Sequence, residues 1–106
     1  LPAQAVPTVS LVPARTEAAF DRVEQMCPRF FPRGHSSVPI QGGVLRQYPR
    51  SDMKIYVLDN GQVKYKYWRS INATLIGTVE EVLDGKATLD CDRIRGRSGL
   101  PWQREI

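Results

Sequence analysis

With 106 residues the chain is long enough for one domain and too short for two ordinary ones. Hydrophobic residues at 42% and charged residues at 25% are globular proportions, which excludes a wholly disordered chain. No apolar run approaches the ~18–20 residues of a membrane span. Fifteen Lys and Arg against eleven Asp and Glu leave a formal charge of +4, an excess too small to define a nucleic-acid binder.

Residues 1–13 form an extended Pro/Ala-rich lead-in, with Pro2, Pro7 and Pro13 favouring polyproline geometry over a packed element. Such a segment suits a linker behind a removed signal or an upstream domain, and so implies export. Residues 14–106 then make a single α+β domain that ends in an irregular basic tail from about residue 93. A helix is expected from Thr16, as cap, to Cys27. It carries Ala19, Phe20, Val23, Met26 and Cys27 on one stripe and Glu17, Asp21, Arg22, Glu24 and Gln25 facing away. Pro28 stops it. Residues 28–43 are rich in Pro and Gly and read as a long irregular connection pinned by Phe30 and Phe31.

The rest reads as β. A short strand covers Val44–Tyr48. Met53–Leu58 and Gln62–Trp68 flank Asp59-Asn60-Gly61, a hairpin signal. A two-residue turn would oppose Ile55 and Lys66 and mix both faces. A three-residue loop with Gly61 left-handed pairs Val57 with Val63, Ile55 with Tyr65 and Met53 with Tyr67. That register gathers Met53, Ile55, Val57, Val63, Tyr65 and Tyr67 on one face and Lys54, Tyr56, Lys64, Lys66 and Trp68 on the other. A second hairpin is expected from Ala73–Leu83 and Lys86–Asp92 around Asp84-Gly85, with a bulge at Glu80-Glu81. The tail, with Arg93, Arg95, Arg97 and Arg104, packs through Trp102. One N-terminal helix on an antiparallel meander of four to five strands is the expected fold. The alternative is a small barrel, because Gly77–Gly85 looks like a hairpin of an OB-type barrel.

Cys27 and Cys91, 64 positions apart and without a CxxC pair, make no zinc site with the single histidine. They are expected to form a disulfide, which fits a periplasmic or secreted protein; two buried free thiols are the other reading. The Lys54, Tyr56, Lys64, Lys66, Trp68 face, extended by Arg69, suits a partner protein with an acidic surface, and equally phosphates with bases stacked on Tyr56 and Trp68. If no acid lies nearby, the opposed Lys54 and Lys66 repel. His35, with Glu80 or Glu81, is the set that acid–base cleavage of RNA would use. In element order, a helix followed by a sheet with Glu and basic residues resembles the small microbial ribonucleases. In that family, however, the acid histidine follows the sheet, whereas His35 precedes it. Asn72-Ala73-Thr74 is a glycosylation acceptor sequence.

No metal and no cofactor is implied. The expectation is a small exported non-catalytic domain, of the format of envelope or secretion assembly modules, inhibitors and immunity-type proteins. It binds a protein through the basic-aromatic face. The alternative is a nuclease-like toxin or RNA-binding domain that uses His35.

Overall fold

The computed structural model describes residues 12–33 and 36–94. Helix α1 (Ala14–Met26) precedes strands β1 (Ser37–Ile40), β2 (Gly43–Tyr48), β3 (Met53–Leu58), β4 (Gln62–Tyr67) and β5 (Thr74–Thr78), then a short helix α2 (Val79–Leu83). All neighbouring strands are antiparallel, in the order β1-β2-β3-β4-β5. This is the expected α+β meander. β1 and β5 are its two edges, and they do not pair with each other as a barrel would require. No described helix is long and apolar enough to cross a membrane.

The central hairpin adopts the bulged register. Val57 pairs with Val63, Ile55 with Tyr65 and Met53 with Tyr67, and Gly61 takes φ 88° in the loop. The reason is burial: this alignment puts Met53, Ile55, Val57, Val63 and Tyr67 in the core, with Tyr65 packed at its margin. A slip of one residue would exchange these for lysines. Gly43 is fixed by sterics, since a Cβ there would collide with the Val57 carbonyl oxygen on the neighbouring strand.

α1 covers the inner face of the sheet through Ala19, Phe20 and Val23, all fully buried. Burying a side chain of the size of Val or Phe is worth roughly 1.5–3 kcal/mol. The helix starts at Ala14 with Pro13 at the cap position and no side-chain cap, so Thr16 lies inside the first turn and does not cap it. Glu24 does not face solvent. It is 4% exposed and accepts hydrogen bonds from Arg46 (2.6 Å) and from the Tyr48 hydroxyl (2.6 Å). Arg46 also reaches Glu17 at 2.6 Å, Asp21 at 3.0 Å and the Ser37 hydroxyl at 2.8 Å. Val44, Arg46 and Tyr48 alternate inward from β2, so one guanidinium collects three carboxylates that α1 presents one turn apart. Burial alone would push the Arg46 pKa down. The hydrogen bonds it donates to Glu17, Glu24 and Asp21 outweigh that and hold it above its ordinary value.

Tyr48 titrates in the same direction for other reasons. Burial first, and then its hydrogen bond to Glu24, raise the hydroxyl pKa above the ordinary value. The folded protein therefore keeps a proton that the unfolded chain gives up above about pH 10. The associated stability is complete below that pH and is lost as pH rises, by about 1.4 kcal/mol per unit for this one group. We expect unfolding free energies measured from pH 9 to 11 to fall more steeply for the wild type than for Tyr48→Phe. Parallel curves would refute the assignment.

Two expectations about the strands also fail. Part of the 28–43 connection is β1, an edge strand that tolerates Pro39 because its outer edge has no ladder to complete. Nor is there a second hairpin. β5 ends at Thr78, residues 79–83 are helical, and residues 86–90 form no strand. The cause is local. The Thr78 hydroxyl accepts from the Glu81 N–H (3.1 Å) while the Glu81 carboxylate accepts from the Thr78 N–H (2.8 Å), a capping box. Asp84-Gly85 ends that helix rather than turning a hairpin. Gly85 sits at φ 75°, its N–H donates to Val82, and the Lys86 N–H donates to Glu81, the Schellman arrangement. The strand register shifts instead between β4 and β5, at Val63/Lys64.

Cys27 and Cys91 are joined by a disulfide, with Cα atoms 5.7 Å apart. It ties the end of α1 to the 3-10 turn Cys91–Arg93, just before the fully buried Ile94. Arg95, Arg97, Arg104 and Trp102 of the expected basic tail lie outside the described residues, as does the lead-in through Leu11.

Candidate functional site: the outer face of the sheet

The strand registers define what the face opposite α1 carries. Val38 pairs with Leu45, Leu45 with Tyr56, Tyr56 with Lys64, and Lys64 with Leu75. One row therefore crosses all five strands and is apolar except at Lys64. Beside it runs a second row, Gln47, Lys54 and Lys66. On the other flank Ile40, Gly43 and Leu58 are neighbours. Val38 and Leu75 are each 52% exposed, and Leu45, Tyr56 and Leu58 are half-buried. Partial burial of Tyr56 raises its hydroxyl pKa.

The lysines share this surface without neutralisation. Lys54 and Lys66 stand directly opposite each other, and among the described residues no ion pair involves Lys54, Lys64 or Lys66. Lys66 instead donates to the carbonyls of Tyr67 and Trp68, at 3.3 and 3.1 Å. No strand position on this face holds an acid. The nearest acid in sequence, Asp52, sits in the turn before β3, at the rim of a shallow hollow shared by Gln47, Lys54 and Trp68. Trp68 falls just past the end of β4, half exposed, with the Arg69 guanidinium 4.9 Å from its ring centre. The structure thus brings Lys54, Tyr56, Lys64 and Lys66 onto one surface and places Trp68 and Arg69 at its end.

The residues of the nuclease alternative are placed differently. Glu80 and Glu81 belong to α2 and not to a strand. Glu80 pairs with Arg15 at 3.0 Å, and the Glu81 carboxylate serves the capping box. His35 lies outside the described residues.

Reading the hairpin alone missed the apolar half of the surface, Val38, Ile40, Leu45 and Leu75. The signal for β2 was its alternation, in which Leu45 must face opposite to Val44, Arg46 and Tyr48. For β1 there was little signal, because Pro39 interrupts it. No family model matches the chain, and no match was found among curated proteins or solved structures.

Proposed function

We propose that this is an exported, non-catalytic domain that binds another protein through the outer face of its sheet. The observation that carries the reading is the cluster Lys54, Lys64 and Lys66, without an ion pair among the described residues, set beside exposed Val38 and Leu75 on a surface that no described element covers. Apolar side chains with a charged flank are the composition of a protein interface. A phosphate backbone would use the cations and gain nothing from Val38, Ile40 or Leu75. The disulfide supports a periplasmic or secreted location, where such bonds persist. Envelope or secretion assembly modules, inhibitors and immunity-type proteins are the roles that share this format, and an acidic partner surface is the complement.

Capture with the immobilised chain tests it. The double variant Lys54→Glu/Lys64→Glu reverses the patch and sets a carboxylate opposite Lys66, so the fold keeps or gains a few tenths of a kcal/mol. We expect the wild type, and Arg29→Glu in the turn after α1, to retain a protein that the double variant loses at least tenfold. Retention by the double variant, or equal loss with Arg29→Glu, would refute docking on this face. Incubation with single-stranded RNA separates the other class: cleavage abolished by His35→Ala would make the protein a nuclease.

A further inference from the structure

We infer that the occupant of the outer face is an amphipathic helix bearing carboxylates, supplied by another protein; this rests on the docking reading above and names the partner's chemistry. The inner face of the same sheet shows how such a surface is covered. There a helix of 13 residues, α1, lays Ala19, Phe20 and Val23 on apolar strand residues and brings Glu17, Asp21 and Glu24 to a cation projecting from the sheet, Arg46. The outer face offers the same ingredients with no described helix on it: the apolar row Val38, Leu45, Tyr56 and Leu75, and three cations within and beside it.

Dimensions agree. Five strands at about 4.8 Å spacing are about 19 Å across, and six-residue strands are about 20 Å long. A helix of about 13 residues, at 1.5 Å per residue, spans either direction.

Charge selects the source. A second copy of this chain would bring the same lysines to the contact, and like charges oppose it. The chain's own segments outside the described residues supply one acidic side chain, Glu105, against Arg95, Arg97 and Arg104, a charge balance of the wrong sign for three lysines. A partner with several carboxylates on the flank of an apolar stripe does.

The probe is a synthetic 16-residue peptide with Leu at helical i, i+3, i+4, i+7 spacing and Glu beside that stripe. Its control has the same composition scrambled so that no stripe forms. Each is titrated into the oxidised 106-residue chain while backbone amide shifts are followed. The patterned peptide should move the amides of Val38, Leu45, Tyr56, Lys64 and Leu75 and bind at least tenfold more tightly than the control. Lys54→Glu/Lys64→Glu, with unchanged melting temperature, should weaken it at least tenfold. Binding of both peptides within twofold overturns the helix while leaving docking by charge intact. Shifts located elsewhere, or absent while the capture experiment succeeds, overturn the helix alone. Failure of the capture experiment as well removes the docking reading itself.

Discussion

Replacing Arg46 by Met is expected to lower the unfolding free energy by about 3–5 kcal/mol, the cost of leaving a buried charge without its partner. Arg46 and Glu24 have side chains 9% and 4% exposed, so neither regains water when the other is lost. Glu17 and Asp21 are 38% and 58% exposed; released, they return to solvent and add little. The magnitude is a large share of the total stability of a small domain. Glu24→Gln in the Arg46→Met background removes the orphaned charge and keeps an acceptor for Tyr48, so the double variant should recover roughly half of the loss. Urea denaturation of the three proteins measures both effects. A loss below about 1 kcal/mol for Arg46→Met, or no recovery in the double variant, would contradict a desolvated Glu24.

Removal of the disulfide is the second large effect. Closing a 64-residue separation restricts the unfolded chain by about 4 kcal/mol on the entropy model. Cys27→Ala/Cys91→Ala should therefore lose about that much stability, and the loss should be matched by reducing the wild type. The bond also fastens a stretch with little regular structure: residues 86–90 form no strand, and the Cys91–Arg93 turn leads directly into the fully buried Ile94. Faster amide exchange in 86–94 of the double variant, with β3 and β4 protected, would mark this local role. Two titratable thiols in freshly isolated denatured protein, together with a melting temperature indifferent to reductant, would remove both the bond and the support it lends to export.

Before the lysine face can dock anything it must exist, and its existence was legible in the chain. Met53–Leu58 and Gln62–Tyr67 have a single register that separates apolar from cationic side chains, so the alignment follows from pattern alone. The β5–α2 junction shows the opposite case. Thr78-Val79-Glu80-Glu81 carries a capping-box signature, but Leu75, Gly77 and Val79 alternate as a strand does, and Asp84-Gly85 serves a hairpin turn as readily as a helix end. Local chemistry decided that conflict: the capping box and the Schellman bonds satisfy both ends of a single helical turn. Glu17, Asp21 and Glu24 stand at i, i+4 and i+7 on one line of α1, a regularity open to inspection. Its meaning depended on Arg46, 22 residues beyond Glu24, pointing inward.

The amino-acid sequence by itself determined the helix and the central hairpin with its register, because each depends on a short-range period; for the two cysteines it left bonded and free thiols both open, and the structure joins them. Tertiary structure decided which acids are buried, that a proline-bearing segment completes the sheet as β1, and that Val38, Leu45, Tyr56 and Leu75 fall in one row. Those outcomes depend on strands from distant parts of the chain lying side by side, and no local pattern encodes which side chains then become neighbours.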